Sequence, residues 1–345
     1  GFYSGSRKLY LAIKNEIAEG KLNADVSILP GISSVSYMAA AVGETYSDAY
    51  ICSIHGVKLS NITSRIRHHA KTFMLMSGVK DVNMLGYLLS SDERYGLQKC
   101  SVTVGYQLSY QDENISQLSP QECTKLKREG LYICMIKNPN PVAKNVTPQL
   151  SDAAFIREKV PMTKEEIRHV SICKLHLKSD SVLYDVGSGT GSIAVEAASL
   201  SDDMEVYAIE QKENAVQLIT QNKEKHGLEN IHVINAKAPD GMENLPVPTH
   251  AFIGGSGGNL KEIIEALKAK NPHIRIVINA ISMETICEMK EILSAYDVKN
   301  EDIVQLQVSR SKQIGHYHLM QAENPVWICS CLLYTSPSPR DVEES

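Results

Sequence analysis

The sequence predicts an α/β protein built from two domains in series. Patterns typical of buried strands alternate with helical patterns along most of the chain, as in sheets flanked by helices. The segment 137–152 contains three prolines and three asparagines and has no periodicity, which is typical of a linker. The length of 345 residues also exceeds that of one average domain and suits two.

The first block, residues 1–147, contains both kinds of pattern. Apolar residues at helical spacing predict a helix over 6–19, and a small-residue segment predicts another over 33–43. Runs rich in apolar and β-branched residues predict strands over 26–31, 71–78, 101–109 and 131–138. This block is therefore expected to form an α/β domain of its own.

The second block, residues 148–330, repeats a strand–helix unit five times and then has two consecutive strands. The predicted strands are 181–187, 205–210, 231–236, 250–255, 274–280, 302–309 and 317–330. The predicted helices are 163–177, 189–200, 212–227, 258–269 and one after 282. Thr163 and Glu166 predict a capping box at the first helix, and Gly227 predicts the C-terminal end of the third. This order predicts a doubly wound, seven-stranded, mostly parallel sheet with an antiparallel edge strand.

Composition excludes several classes of protein. Charged residues make up 22% of the chain, apolar residues 43%, and the net charge is −5, which argues against a dedicated nucleic-acid binder. No apolar run approaches about 18 residues, and no secretory signal is visible. We therefore expect a cytoplasmic protein with no nucleic-acid or membrane partner. Eight cysteines without a CxxC pair are expected to stay reduced.

The strongest chemical signal is a glycine loop, VLYDVGSGTGS, at residues 182–192. Gly187, Gly189 and Gly191 lie between a predicted strand and a predicted helix, where glycine permits a tight turn and close approach of a ligand. Glu210 ends the next strand, where a carboxylate can accept hydrogen bonds from both hydroxyls of a ribose. These features together predict a nucleotide-type ligand.

Two ligand classes compete for this loop. Dinucleotide sites use G-x-G-x-x-G, whereas this chain has G-x-G-x-G, with Ser192 at the position of the third glycine. Asp185 would repel a pyrophosphate but suits the ammonium group of a methionine moiety, directly or through water or backbone. Both features favour S-adenosylmethionine, and a tight turn without a ligand is the remaining alternative.

A second glycine cluster, residues 252–260, follows the fourth predicted strand of this block. It lacks the Asn/Asp-Pro-Pro-aromatic motif that orients an amino nitrogen in many methyltransferases. Its glycines predict an open floor beneath a large flat substrate, and backbone NH groups at the next helix start could hold a carboxylate. A flexible connection is the alternative. The candidate substrate-binding residues in this cluster are Gly255, Ser256, Gly257, Gly258 and Asn259.

These segments together resemble a known family. VPMTKEEIR, YDVGSGTGS, FIGGSGGNLKEI, IVINAISMET and HYHLMQAENPV are similar to the CbiT type of cobalamin-biosynthesis methyltransferase. GFYSGS, LPGISSVSYMAA, SIHG and KTFMLMSG resemble its partner, CbiE. The fused arrangement, over roughly residues 1–330, is similar to decarboxylating precorrin-6Y methyltransferases.

The resemblance implies an incomplete tetrapyrrole-methylase domain followed by a class I Rossmann-like methyltransferase domain. It implies methylation of a corrin precursor at carbons 5 and 15 by S-adenosylmethionine, with loss of carbon dioxide from the ring C acetate. The second domain would act at carbon 15 and decarboxylate, and the first at carbon 5. The acceptor carbon belongs to an enamine-like macrocycle, so no strong base is needed, and no catalytic residue or metal site is assigned. We expect a homo-oligomer.

The residues expected to bind the donor follow from the glycine loop and from the resemblance. In the second block they are Thr163, Asp185, Gly187, Ser188, Gly189, Thr190, Gly191, Glu210 and Ala236, the last standing where the family commonly has glycine. In the first block they are Gly31 and Ser33, beside His55, and their alternative role is in turns and packing.

The tetrapyrrole substrate carries many carboxylates, so cations near the mouth of the site are expected to bind it. The candidates are Arg157, Lys164, Arg168, Arg310 and Lys312. His316 and His318 lie on the same side of a predicted strand, but no third ligand is spaced with them. We therefore expect His318 to contact the substrate rather than a metal.

Both ends of the chain look unusual. It begins after the strand and glycine–proline loop that the CbiE resemblance would place first, so we expect no methylation of carbon 5. The string CLLYTSPSPRD resembles a translated sequencing-library adapter, so residues 331–345 are expected to be an artefact. Two alternative functions stay open: methylation of RNA, which the acidic charge disfavours, and non-catalytic carriage of corrin intermediates.

Overall fold

The computed structural model describes residues 4–29, 31–54, 61–93, 96–144 and 146–333. The chain divides into two compact units, Gly1–Ala143 and Lys144–Ser345, and this division falls inside the segment 137–152. Each unit has a β-sheet of its own. Within the described ranges, none of the helices combines the length and the apolar character that crossing a membrane requires.

The first unit packs helices against one mixed sheet. Its strands are β1 (Tyr50–Ser53), β2 (Lys71–Met76), β3 (Ser101–Tyr106), β4 (Asn114–Leu118) and β5 (Tyr132–Lys137). Its helices are α1 (Ser4–Ala18), α2 (Ser34–Ala41), α3 (Ile62–Arg67), α4 (Val79–Ser91) and α5 (Pro120–Cys123). The strand order is β1-β2-β5-β3-β4, in which β1 and β2 pair in parallel and the other pairs are antiparallel.

The prediction of a strand over 26–31 is wrong. Ile28 and Leu29 are 47% and 80% exposed, and the described residues of this segment, 26–29 and 31, pair with no strand. An apolar run without a partner for its backbone groups cannot form a buried strand. Helix α4 was not among the predicted elements, although Val82, Leu85 and Leu89 recur at helical spacing in the sequence and form a buried stripe on it.

The second unit contains nine strands and five α-helices among its described residues. The strands are β6 (Val182–Val186), β7 (Glu205–Glu210), β8 (Ile231–Asn235), β9 (His250–Ile253), β10 (Arg275–Ala280), β11 (Val298–Leu306), β12 (Ser309–Ile314), β13 (Tyr317–Ala322) and β14 (Val326–Leu333). The helices are α6 (Glu165–Leu175), α7 (Ser192–Leu200), α8 (Glu213–Lys225), α9 (Leu260–Lys270) and α10 (Met283–Ala295). Strands β12 and β13 form a separate hairpin.

The predicted seven-stranded, mostly parallel sheet is confirmed, with the order β11-β14-β10-β9-β6-β7-β8. Its antiparallel strand, however, is not at the edge: β14 lies between β10 and β11 and is antiparallel to both. The reason lies in burial, since Ile328 and Cys329 on β14 are fully buried. Along β11, by contrast, half-buried and exposed residues alternate, as suits an edge strand with one face in solvent.

Strand β14 also continues further than the predicted domain end at 330. Cys331 and Leu333 are buried in the sheet, and Cys331 pairs with Ile276 of β10. The origin of residues 331–345 stays a prediction, and 334–345 lie outside the described residues.

Two apolar layers sandwich the large sheet. Helices α6, α7 and α8 pack on one face, and α9 and α10 pack on the other. Successive strand residues alternate between the layers: Leu183 joins the first, whereas Tyr184 joins the second. This three-layer arrangement leaves the carboxyl ends of the parallel strands free to carry loops.

One predicted helix cap is wrong and another helix end is placed as expected. Helix α6 has Lys164 as its N-cap in place of Thr163, and a lysine side chain has no acceptor for a capping bond. The Glu166 carboxylate accepts a hydrogen bond from Arg310. Gly227 follows the C-cap residue His226 of α8 and has a φ of +60°. That left-handed conformation ends the helix without the steric cost a side chain would bring.

Candidate functional site

The candidate site lies where the chain leaves the carboxyl ends of β6 and β9. β6 and β9 are parallel neighbours, but the chain continues from β6 to β7 on one side of the sheet and from β9 to β10 on the other. In doubly wound folds, ligands usually bind at such a point. A cavity of about 830 Å³ opens there. The predicted site residues that line it are Thr163, Gly187, Ser188, Gly189, Glu210, Ala236, Gly255, Ser256 and Gly257; Lys164 lines it too.

The first glycine loop is held in a conformation that requires glycine. Gly187, Gly189 and Gly191 have φ values of +69°, +59° and +77°. A Cβ atom on Gly187 would lie 2.8 Å from the nitrogen of Gly255 and closer still to its carbonyl oxygen. The backbone NH of Gly187 donates to the carbonyl of Ile209 at 3.0 Å, which ties the loop to β7. The loop is therefore fixed between two neighbouring segments.

Asp185 supports this loop from below instead of facing the cavity. It is 1% exposed and is not among the described lining residues. Its Oδ2 accepts hydrogen bonds from Ser188 Oγ at 2.6 Å and from the NH of Ala194 at 3.1 Å. Its Oδ1 is buried with no hydrogen-bond partner among the described residues. A contact between Asp185 and a bound ligand would therefore pass through loop backbone or water, the indirect route that the sequence left open.

Burial also changes the ionisation of Asp185. The pKa of this carboxyl is raised to about 7, mainly by desolvation and to a smaller extent by the negative charge of Glu210, although the bonds from Ser188 and Ala194 act to lower it. A cation placed near the loop would favour the charged form of the carboxyl.

Glu210 faces the cavity from the end of β7. Its Oε2 accepts a hydrogen bond from the NH of Gly189 at 2.9 Å, and its Oε1 accepts one from the NH of Lys212 at 3.0 Å. Each carboxylate oxygen can accept a second bond. The carboxylate is therefore held rigidly at a point where it can also accept hydroxyl donors.

The cavity wall formed by residues 159–164, next to the glycine loop, is anchored by Arg168. The prediction that Arg168 lies at the mouth and binds carboxylates of a substrate is wrong, because its side chain is fully buried. It donates to Glu196 at 2.9 Å, to Asp152 at 3.2 Å and to the carbonyl of Thr163 at 2.9 Å. It also donates to the carbonyl of Leu150. Arg168 thus links the end of the linker to the segment that lines the cavity.

A signal for this buried pair was present in the sequence. Glu196 is the one charged residue in the otherwise small and apolar helix α7, and it is almost completely buried. A charge in such a helix requires a buried partner of opposite sign. The backbone NH groups of Gln149 and Leu150 also donate to Glu196, at 2.7 and 2.9 Å.

Among the described lining residues, Lys164 is the one predicted substrate-binding cation, and Arg157, Arg310 and Lys312 are not there. Arg310 donates to Glu166 and lies 3.4 Å from Glu323, so nearby carboxylates neutralise it. Arg157 is exposed and is not among the described lining residues. Two further residues that were predicted to contact the substrate, Lys312 and His318, are exposed on the β12–β13 hairpin.

The two histidines of the β12–β13 hairpin are placed differently from the prediction. His316 lies in the turn before β13, so it does not share a strand face with His318 as predicted. Within the described ranges, no group of three or more His, Cys, Asp or Glu side chains could hold a metal ion.

Several predicted residues lie just behind the cavity surface. The Thr190 hydroxyl is buried without a hydrogen-bond partner among the described residues, and its carbonyl accepts from Asn222 at 2.9 Å. Gly191 is the N-cap of α7, and a Cβ there would lie 3.1 Å from Ile219. Gly258 and Asn259 continue the second loop, and Asn259 is the N-cap of α9. These four residues support or extend the lining.

The candidates in the first unit have local roles in that unit. Ser33 is the N-cap of α2, and its hydroxyl accepts a hydrogen bond from the NH of Ser36 at 3.1 Å. Gly31 is exposed shortly before this helix. His55 lies outside the described residues.

The second unit is similar to known proteins. The sequence profile of the family described as "Precorrin methyltransferase domain" matches residues 153–331. A probable cobalt-precorrin-6B C(15)-methyltransferase (decarboxylating) of Pyrobaculum calidifontis is 38% identical over 185 residues, 53% of this chain and 94% of that protein. The cobalt-precorrin-6B C(15)-methyltransferase (decarboxylating) of Salmonella typhimurium is 35% identical over 184 residues, 53% of this chain and 95% of that protein.

A solved structure gives the same result. The crystal structure of a precorrin-6Y C5,15-methyltransferase from Geobacter metallireducens is 33% identical and covers 54% of this chain and 96% of its own, with a TM-score of 0.50. The family profile covers more than half of the 345 residues and includes every residue that lines the candidate site. The chain therefore belongs to the precorrin methyltransferase family.

Proposed function

We propose that this chain methylates carbon 15 of a precorrin-6B-type corrin precursor and decarboxylates the ring C acetate, as a step of cobalamin biosynthesis. The observation that carries the proposal is the cavity between the loops after β6 and β9, with Glu210 on its wall. Relatives that are 38% and 35% identical are named for this reaction on cobalt-precorrin-6B. The matched region covers 53% of this chain and 94% and 95% of the two relatives.

The cavity has the features that S-adenosylmethionine requires. Gly187 packs directly against the backbone of Gly255, which fixes the glycine loop at the cavity wall. The Glu210 carboxylate can accept both ribose hydroxyls, and Asp185 beneath the loop favours a nearby ammonium group. When bound, this donor supplies an activated methyl group. The proposed donor-binding residues are Thr163, Asp185, Gly187, Ser188, Gly189, Thr190, Gly191, Glu210 and Ala236.

The residues of the chain contribute mainly orientation and exclusion of water. Ile167, Val308 and Val326 give part of the cavity an apolar lining. The acceptor carbon of an enamine-like macrocycle is nucleophilic by itself, so the chain needs to hold it close to the methyl group in a dry site. In decarboxylation the carboxylate leaves as carbon dioxide, its bonding electrons pass into the macrocycle, and a proton then takes its place.

Mass spectrometry of the tetrapyrrole tests this proposal. The full chain is incubated with S-adenosylmethionine and cobalt-precorrin-6B, and a second reaction omits the donor. A gain of one methyl group together with a loss of carbon dioxide, only with donor present, supports the proposal. An unchanged mass would instead support a carrier of corrin intermediates. Methylation of RNA would be supported by RNA binding that weakens steeply with added salt.

We also propose that residues 1–147 form a CbiE-like domain and that residues 148–330 perform the carbon-15 reaction. The family match at 153–331, which falls within the second unit, supports this division of activity. A donor with a ¹³C-labelled methyl group tests it by NMR of the product. Wild type should label carbon 15, whereas Gly187→Ala, which disrupts the glycine loop of the second unit, should not. A carbon-15 label that persists in this variant would contradict the division.

A further inference from the structure

Four lysines line the cavity, although the chain as a whole has a net charge of −5. Lys159 and Lys164 precede α6, Lys212 is the N-cap of α8, and Lys237 follows β8. They come from three separate segments of the chain, so no single helix face or charge run accounts for them. The cavity therefore concentrates positive charge against the average of the molecule.

Three of these four ammonium groups have no counter-charge from the described residues. Lys164 lies 3.6 Å from Asp152, whereas no carboxylate of the described chain lies within ion-pair distance of Lys159, Lys212 or Lys237. The two acidic residues in the lining are engaged elsewhere. Glu210 accepts two backbone NH groups, and Glu323 lies 3.4 Å from Arg310.

The number of cations decides which ligand they suit. S-adenosylmethionine has one carboxylate, and its own ammonium and sulfonium groups already outweigh that charge. A corrin precursor carries several carboxylates on flexible acetate and propionate chains around a flat ring. Lysine suits such ligands because its ammonium group is a point charge on a flexible stem and needs no planar, bidentate partner.

We propose that Lys159, Lys212 and Lys237 bind acetate and propionate carboxylates of the tetrapyrrole substrate. This assignment rests on the proposed function and replaces the cations expected from the sequence. Arg168 is buried in ion pairs and Arg310 is neutralised by carboxylates, so neither is available for this role.

Charge-neutralising variants of the full chain test the assignment. Lys159→Gln, Lys212→Gln, Lys237→Gln and the triple variant are compared with Lys225→Gln, whose residue lies in the last turn of α8 and is not among the described lining residues. The KM for cobalt-precorrin-6B is measured at low and at high ionic strength. The Kd for S-adenosylmethionine is measured separately by calorimetry.

Each single variant of the three lysines is expected to raise the KM for cobalt-precorrin-6B roughly three- to tenfold at low salt. The triple variant should raise it further and make it less sensitive to salt, because fewer charges remain to be screened. Donor Kd should stay within about twofold of wild type, and Lys225→Gln should match wild type in both measurements.

Two results would overturn the assignment. One is an unchanged KM in all three variants and in the triple. The other is a donor Kd that rises as much as the KM, which would mean that the lysines bind S-adenosylmethionine instead of the tetrapyrrole. Failure of the proposed function itself would look different, because wild-type protein would then leave the mass of cobalt-precorrin-6B unchanged.

Discussion

The two glycine loops at the carboxyl ends of β6 and β9 touch each other but are built in opposite ways. In the first, a Cβ on Gly187 would clash with the backbone of Gly255, and a Cβ on Gly189 would lie 3.1 Å from the carbonyl oxygen of Pro161. In the second, a Cβ on Gly254 would lie 2.9 Å from the Phe252 ring, but Cβ atoms built on Gly255 or Gly258 would meet nothing within 4 Å. The first loop is confined on both sides, and the second faces open space from Gly255 onwards.

Under the proposed function, this difference suits the two loops to different ligands. A confined loop, with Asp185 fixed beneath it by Ser188 and Ala194, can hold a small ligand in one geometry. An open loop can lie beneath a large flat ring without steric conflict. Methyl transfer requires both properties, because one reactant must be fixed precisely while the other is admitted and released.

Replacing Gly187 by alanine should break the first loop and has the largest expected effect. The new Cβ would lie 2.8 Å from the nitrogen of Gly255, and the φ of +69° strains any residue with a side chain. We expect the affinity for S-adenosylmethionine to fall by more than about 100-fold, which corresponds to a loss of roughly 3 kcal/mol of binding free energy. Calorimetric titration measures the affinity, and circular dichroism checks the fold. A donor affinity close to wild type in a folded variant would contradict the confined loop.

Removing Arg168 should loosen the cavity wall formed by residues 159–164, next to that loop. Arg168→Met leaves Glu196 as a buried charge without its partner and leaves the Thr163 carbonyl without its donor. The free energy of unfolding should fall by about 3–5 kcal/mol. Donor affinity should fall roughly tenfold, because Thr163 lines the cavity. Urea denaturation and calorimetry give the two quantities.

A double variant separates positioning from charge. Arg168→Met with Glu196→Gln removes the isolated charge, so most of the lost stability should return. Thr163 would still lack its anchor, so donor affinity should stay low. Recovery of donor affinity together with stability would show that Arg168 supports the fold without positioning the wall.

The carboxyl group beneath the first loop predicts a dependence on pH. Burial raises the pKa of Asp185 to about 7 in the folded protein, whereas an unfolded aspartate titrates near pH 4. Between these values the folded state holds a proton that the unfolded state has lost, so this group's contribution to stability falls as pH rises. The slope is up to about 1.4 kcal/mol per pH unit.

Asp185→Asn removes this titration and serves as the reference. The unfolding free energy of the variant minus that of wild type should increase by on the order of 2–3 kcal/mol from pH 5 to pH 8. Urea denaturation of both proteins at the two pH values measures it. A difference that does not change with pH would mean that Asp185 is ionised throughout this range.

Local patterns explain why much of the site was predictable from the sequence. Gly187 and Glu210 were found because the signal is contained in one strand, one turn and the next strand. The confined geometry of Gly187 itself was not predictable, since it depends on Gly255, which lies 68 residues later in the chain and becomes a neighbour only when β9 pairs with β6.

Other features depended on contacts that no local pattern contains. Arg168 looks like an exposed helix charge until Glu196 and Asp152 are brought to it by the packing of three segments. Lys237 looks like a solvated loop residue until the loops after β7 and β8 form a common wall. The position of β14 within the sheet likewise depended on which of two late strands could be buried on both faces.

Replacing Gly255 by alanine should have the smallest effect and sharpens the contrast between the loops. Its φ is not in the left-handed region, and a Cβ there would meet nothing within 4 Å. The free energy of unfolding should stay close to that of wild type, and the Kd for S-adenosylmethionine should stay within about twofold of it. The KM for cobalt-precorrin-6B should rise a few-fold, because the alanine side chain would occupy space that the tetrapyrrole ring is proposed to fill. A loss of donor binding as large as that of Gly187→Ala would mean that both loops are equally confined. An unchanged KM would place the ring elsewhere in the cavity.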